Sequence, residues 1–424
     1  MNFDHLRKLL IQKALEGKLV PQLDSEQKVA QGELTENALQ EIPFNIPEKW
    51  KWFKLNKFVS VISGTSFKKT DQVSEGNGVR VIRGGNLRDF KIETKKDDVF
   101  VDNSLHDSDK EIQSSDIVIV ASTGSKEVIG RAACYRGNEK IQIGAFLRII
   151  RPNKKEYAPY LKILFQSDYY RKHIRNCSKG TNINNIKKEY ITELSIPIPP
   201  VQEQRRIVAK LEEAFAEIDR AEKAYEELQT LAGVLRGQIL QEAIQGKLVP
   251  QLAEEGVVEQ IGATQDEVPF KIPESWKWVK LKSVFSMQAG KFISASSIQP
   301  EGRFPCYGGN GLRGYVDISN RKGRFPLIGR QGALCGNVHV VDGEFYATEH
   351  AVVVDCGEYG DPDCVGLFLE AMNLNQYATA TAQPGLSVKK IIELPFPLPP
   401  KDEQARIVSR VKDLMKQVDA LSAR

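Results

Sequence analysis

Residues 6–23 read LRKLLIQKALEGKLVPQL, and residues 235–252 read LRGQILQEAIQGKLVPQL. Two further pairs follow: IPEKWKW (46–52) returns as IPESWKW (272–278), and ELSIPIPPVQEQRRIV (193–208) returns as ELPFPLPPKDEQARIV (393–408). A period this long excludes a solenoid and marks duplication of a whole structural unit. The pairs lie 229, 226 and 200 positions apart, so the stretch between the tryptophan and proline motifs is 26 residues shorter in the second copy. The flanks are near copies and the two inserts differ, which implies a constant frame carrying two diverged heads. The repeat is also circularly permuted. After the first proline motif the chain runs on into Gly246; after the second it stops at Arg424, and the missing piece is found at residue 6 onward. The expectation is an approximate two-fold axis within one chain, a second frame assembled from both chain ends, and termini that lie close together. That symmetry suits a ligand with two related halves, with duplex DNA the first candidate.

A length of 424 residues fits two to three domains, and 41% hydrophobic content supports true cores. The net charge of +4 and pI near 8.5 fit an anionic partner. Six cysteines (Cys134, Cys177, Cys306, Cys335, Cys356, Cys364) contain no CxxC pair. Without a signal peptide they read as reduced thiols of a cytoplasmic protein. No apolar run reaches the roughly 18 residues of a membrane helix.

From Ile207 the apolar spacing alternates four and three through Leu211, Ala214, Ile218, Ala221, Tyr225, Leu228, Ala232, Leu235 and Ile239. This heptad seam predicts a coiled-coil partner. Ile407, Val411, Leu414, Val418 and Leu421 repeat the phase, and residues 6–14 match 235–243. The predicted arrangement is an antiparallel pair, the central helix packing against the C- and N-terminal helices. A helix of about 45 residues would be about 65 Å long and hold two heads a fixed distance apart. Pro199-Pro200 and Pro399-Pro400 mark the helix starts, and Gly17 and Gly246 the stops.

Between these marks lie residues 46–200 and 272–400, both rich in short β-branched runs split by glycine and asparagine. Strands are expected at 79–82, 117–121, 141–150, 325–328, 338–341 and 351–354, and helices at 159–177 and 363–376. The fold class is α/β (α+β): two strand-rich heads separated by the antiparallel coiled coil. The expected boundaries are an N-terminal helix to 23 completing the second frame, a linker at 24–45, head one at 46–200, the central helix at 201–246, a linker at 247–271, head two at 272–400 and a C-terminal helix at 401–424.

The head loops place basic and hydrogen-bonding side chains beside glycines. Head one offers Lys68, Lys69, Arg83, Asn86, Arg88, Lys126, Lys179, Thr181 and Asn182. Head two offers Lys291, Tyr307, Asn310, Arg313, Arg321, Lys322, Arg330, Gln331 and Gln383. Arg, Lys, Asn and Gln pair with base edges in the major groove, and the cations also neutralise phosphate. Corresponding loops in both heads share this character with different sequences. The chain has no (Asn/Asp)-Pro-Pro-(Tyr/Phe) signature of amino-methyltransferases, no GxGxxG or GxxxxGK(S/T) loop, and no HExxH spacing. His350 follows Glu349, a lone pair expected to be structural. No catalytic or metal site is predicted: the chain reads as a recognition protein.

The IPxxWxW openings, the PxPP–EQxRIV closings, the GKLVPQL segments and the permuted helices resemble the specificity subunit of type I restriction-modification enzymes over essentially the whole chain. VIRGGNL (81–87) and YGGNGLRGY (307–315) also look like patterns of its target-recognition domains. The resemblance implies a split DNA site, one half per head, with an unread gap set by the coiled coil. It implies two modification subunits that use S-adenosylmethionine to methylate an adenine in each half-site, and two motor-nuclease subunits that need ATP and Mg. No cofactor would be bound by this chain, and the catalytic residues would lie in the partners. Two other readings stay open on the residues alone: a coiled-coil scaffold whose heads bind proteins or glycans, and an unrecognised nuclease or methyltransferase.

Overall fold

The computed structural model describes residues 2–30, 43–177, 184–259, 261, 268–379 and 384–422. The chain divides into two compact units, Met1–Lys223 and Ala224–Arg424. The division falls inside one uninterrupted 44-residue helix, Val201–Ile244.

In the first unit, α1 (Phe3–Leu15) is capped by Asn2, whose side chain accepts from His5 N at 3.0 Å. The head opens with β1 (Lys51–Lys54) and closes with β9 (Ser195–Ile198), paired antiparallel so that entry and exit lie side by side. Between them β2 (Val59–Ser63), β8 (Leu147–Pro152), β5 (Ile117–Val120) and β6 (Ala132–Cys134) form one sheet in that order, extended by 90–92 and 87–88. A second sheet runs β7 (Ile141–Ile143), β3 (Gly78–Ile82), β4 (Val99–Asp102) and 72–73, with β7 parallel to β3. The helices α2 (Ala158–Gln166), α3 (Asp168–Cys177) and α4 (Lys188–Thr192) precede α5 (Val201–Ile244). The four residues of β5 are all buried, as its unbroken Ile-Val run requires.

The second unit repeats the plan. The entry and exit strands β10 (Lys277–Lys280) and β18 (Pro395–Leu398) pair antiparallel. One sheet runs β11 (Ser286–Ala289), β17 (Ala351–Asp355), β14 (Phe325–Gly329), β15 (Val338–Val341). The other runs β13 (Gly311–Val316), β12 (Phe304–Gly308), β16 (Glu344–Ala347) and 321–322, again with one parallel pair, β12 and β16. Helices α6 (Leu281–Val284), α7 (Pro362–Ala371), α8 (Val388–Ile391) and α9 (Lys401–Ser422) complete it. The strands at 72–73, 87–88 and 90–92 belong to the first head alone, which carries the longer insert.

The repeated motifs converge on one buried joint per unit. In the second, Trp276 Nε1 donates to Glu403 Oε2 at 2.9 Å and Gln251 Nε2 to Oε1 at 2.6 Å. Gln404 Nε2 donates to the Pro399 carbonyl at 3.0 Å, and Arg406 holds the Pro250 carbonyl at 3.0 Å and Glu255 at 2.6 Å. The first unit has Gln22 against Glu203, Gln204 on Pro199, and Arg206 on Pro21 and Glu26. Trp50 stands toward Glu203 in the corresponding place, but its Nε1 and Glu203 Oε1 make no hydrogen bond among the described residues, unlike Trp276 and Glu403. Burial raises the carboxyl pKa of both Glu203 and Glu403. Gly17 and Gly246 sit above the joint at φ +69° and +68°; a Cβ there would stand 2.3 Å and 2.5 Å from the ring of Pro47 or Pro273.

Within each unit the helices pair antiparallel. Arg7 of α1 reaches Asp219 and Glu222 of α5, both at 2.6 Å. On α9, the Ser422 carbonyl accepts from Gln229, and Asp419 pairs with Arg236. Along the predicted seam Ile207, Leu211, Ala232, Ile239, Ile407, Val411 and Val418 are buried, and Ala214, Ile218, Tyr225, Leu228 and Leu414 half-buried. Leu235, Leu421 and Ala221 face solvent, which corrects the seam at those positions. A straight helix drifts about 20° per heptad from a 3.5-residue repeat, so marginal positions rotate outward. Toward its end α5 turns Leu240, Ala243 and Ile244 into the core of the second head. Three expected elements are also split: 141–150 breaks at a turn into β7 and β8, 159–177 breaks at Ser167 into α2 and α3, and 363–376 stops at Ala371 before the left-handed Asn373 and a short turn at Leu374–Tyr377.

Trp276→Phe removes the indole donor and leaves a buried carboxylate oxygen unpaired. It should cost about 1.5–3 kcal/mol, read as a lower urea midpoint for the second unit; an unchanged midpoint would show that the joint does not need this bond.

Candidate nucleic-acid interface

In the first head, five segments close on the carboxyl end of β5. Ala121 N donates to the Phe146 carbonyl at 2.8 Å and Ile186 N to the Ala121 carbonyl at 2.7 Å. Gly144 N meets the Ile82 carbonyl and Thr65 N the Ile143 carbonyl, each at 2.8 Å. Residues 122–123 pair with 184–185. The crossing requires glycine at 64, where a Cβ would lie 2.1 Å from the Gly144 oxygen.

The second head makes the same closure. Arg330 N donates to the His350 carbonyl and Leu386 N to the Arg330 carbonyl, both at 2.8 Å. Thr348 N meets the Tyr307 carbonyl at 2.9 Å and Lys291 N the Ala347 carbonyl at 3.0 Å. A Cβ at Gly290 would stand 2.2 Å from the Ala347 oxygen. Between the loops lies a groove of about 450 Å³ lined by Gly309, Asn310, Leu312, Arg313, Gln331 and His350 among others.

The predicted residues divide on this geometry. Arg83, Lys126, Lys291, Tyr307, Asn310, Arg313, Arg330 and Gln331 belong to the converging segments. Lys68 and Lys69 lie just beyond, in and beside the short turn Lys69–Asp71. Lys68, Lys69, Lys126, Lys291, Arg313 and Arg330 make no ion pair among the described residues. Arg83 donates to the Asp97 carbonyl at 3.1 Å and keeps an exposed side chain. Tyr307 is half-buried, its ring edge-on to Phe345. Lys179, Thr181, Asn182 and Gln383 lie outside the described residues.

Four placements differ from the expectation. Asn86 is buried: its Oδ1 accepts from Arg83 N, and its Nδ2 donates to the Glu93 carbonyl and Asp98. It shapes the loop and has no free edge for a base. Lys322 is held by Glu344 at 2.7 Å, and Arg321 donates to the Asn320 carbonyl at 2.9 Å; their short strand pairs with the opposite end of β16. Arg88 stands beside Asp89 at 3.4 Å on a two-residue hairpin whose tip, Asp89-Phe90, has φ +46° and +59°. Those angles are the ones a type I′ turn requires.

Loop composition alone did not mark three residues. His350 lines the groove, with Glu349 Oε1 3.1 Å from its Nε2. Phe146 and Phe292 are 68% and 76% exposed at the closing segments. The available signal was an aromatic ring two residues after a glycine, Gly144 and Gly290. All six cysteines are free, and burial pushes Cys134 up to about 11 and Cys356 up to about 12. No helix among the described residues is long and apolar enough to cross a membrane.

Asn86→Ala and Arg313→Ala should separate folding from recognition. Truncating the buried amide strands its partners and should cost about 1–3 kcal/mol in thermal or urea unfolding. Arg313→Ala should stay within about 0.5 kcal/mol of the parent and weaken DNA binding.

Comparison with known proteins places this geometry. The family model of the type I restriction modification DNA specificity domain matches residues 47–230 and 273–424. The specificity subunit of the EcoprrI type I restriction enzyme of Escherichia coli is 48% identical over 133 residues, 30% of this chain and 33% of that one. The EcoKI specificity subunit of Escherichia coli K12 is 27% identical over 403 residues (89% and 84%), and that of StySPI from Salmonella potsdam 26% over 418 (89% and 84%). Among solved structures, a chain of a type I R-M system studied for its complex assembly and conformational transition superposes with TM-score 0.68 at 20% identity, covering 90% of this chain and 94% of that one. The HsdS subunit from Thermoanaerobacter tengcongensis gives 0.54 at 19% identity, covering 90% and 93%. The chain belongs to the type I restriction-modification DNA specificity family.

Proposed function

We propose that this chain reads a bipartite DNA sequence through its two unlike heads, and that its partners carry the chemistry. The observation that supports this most is the common closure: two heads of one topology, differing in sequence, each bring basic side chains that make no ion pair among the described residues to the same loop edge, and the second adds Asn310 and Gln331. Arg313 and Gln331 are suited to guanine and adenine edges respectively, and the unpaired lysines to phosphate. Each head reads one half-site. The uninterrupted α5 acts as the spacer that fixes the unread gap. Two modification subunits, adenine-N6 methyltransferases using S-adenosylmethionine, dock on the duplicated frame, which offers each a similar surface. Two restriction subunits supply ATP- and Mg-dependent translocation and cleavage. The chain itself performs no catalytic step and acts where the chromosome is, in the cytoplasm.

With the modification subunits present, binding to a duplex carrying the site should fall steeply with salt, log K against log salt having a slope of about −0.9 per phosphate neutralised. Equal binding to every sequence at all salt concentrations would refute the reading. Adding one heptad to α5 and to the helix paired with it should lengthen the gap in the methylated sequence and leave both half-sites intact. A change in either half-site would overturn the spacer role.

A further inference from the structure

Phe146 and Phe292 are the two most exposed large apolar side chains among the described residues, at 68% and 76%. They come from different sequences, GAFL and GKFI, and lie on the two different sides of one equivalent junction. Each head has one isolated parallel bridge at its closing edge, Thr65 with Gly144 in the first and Lys291 with Thr348 in the second. Phe146 follows the Gly144 side of one bridge; Phe292 follows the Lys291 side of the other. The aromatic residue has therefore been supplied from opposite strands of the same junction.

Both rings stand on pinned backbone. Arg148 Nη1 donates to the Ala145 carbonyl at 2.9 Å and the Leu147 carbonyl at 2.8 Å, clamping the residues on either side of Phe146. The Tyr346 hydroxyl donates to the Phe292 carbonyl itself at 3.0 Å. A ring left exposed by a slack loop would need no such support. Basic residues are carried by the same segments: Lys291 adjoins Phe292, and the Phe146 carbonyl bonds to Ala121 N and Ser122 N at the start of the loop that carries Lys126. A single exposed apolar ring on hydrogen-bonded backbone matches the side chains that architectural proteins insert between base steps.

We infer that Phe146 and Phe292 are wedges, each inserted against a base step of the half-site its head reads, so that recognition and local unstacking are performed together. This rests on the DNA reading above. The test uses the full chain with its modification subunits and a duplex whose site has been read from the host methylome. 2-Aminopurine is placed in turn at positions of each half-site other than the methylated adenine. The parent should raise fluorescence at a step in each half-site. Phe146→Ala should abolish the rise in one half-site only and Phe292→Ala in the other only. Each should weaken binding about tenfold, the effect of losing one base–aromatic stack, with an unchanged salt slope and melting temperature. Phe146→Leu and Phe292→Leu should keep most of the signal. Alanine variants that retain both rises overturn the wedge while the DNA reading stands. So does loss of modification-subunit binding with the fluorescence unchanged, which would make the rings protein contacts. A parent complex with no sequence preference removes the DNA reading and the wedge with it.

Discussion

The structure depends on a buried carboxylate at which three separate stretches of chain meet. Glu403 is 1% exposed, and a carboxylate so placed is tolerable only when its oxygens are hydrogen-bonded. In the second unit the donors are an indole from the head's opening motif and a carboxamide from the LVPQL segment. The next turn adds Arg406, which ties the same segment to Glu255. This explains why IPxxW, LVPQL and EQxR occur as a set: in the second unit each supplies one part of one joint, and none can change alone without stranding a polar group. The glycine above the joint is fixed for a second reason, since both its positive φ and the proline ring beneath it exclude a side chain.

The joint also explains what is free to vary. Each head leaves and re-enters the frame through one antiparallel strand pair, and everything between those strands is insert. The first head spends its extra residues on an added hairpin at 87–92 and an edge strand at 72–73 while keeping the order of the central strands. Recognition loops can diverge because the frame does not depend on them.

The frame was the legible part of the sequence, and the reason is physical. Helix starts at Pro-Pro, stops at positive-φ glycine and buried Ile-Val strands are written locally, and they lie where those residues predict. The recognition edge is written in three dimensions. Asn86 and Arg83 look alike as polar loop residues, but only the fold shows that one is consumed by Asp98 and Glu93 while the other faces out. Lys322 reads as a DNA contact in sequence because its partner Glu344 lies 22 residues away and meets it only in the folded sheet. Leu235 fits the seam in sequence because the repeat assumes one continuous partner, whereas the end of α5 turns toward its head's core. Phe146 was invisible for a similar reason: its exposure comes from a turn inside what reads as a single strand.

Exchange of one head tests the division between frame and reader most directly. Residues 55–194 would be replaced by the corresponding insert of a specificity subunit with a different methylation sequence, and the host methylome sequenced with long reads. The account predicts that one half of the methylated sequence changes to that of the donor, while the other half and the gap stay as they were. A change in both halves, or in neither, would contradict it.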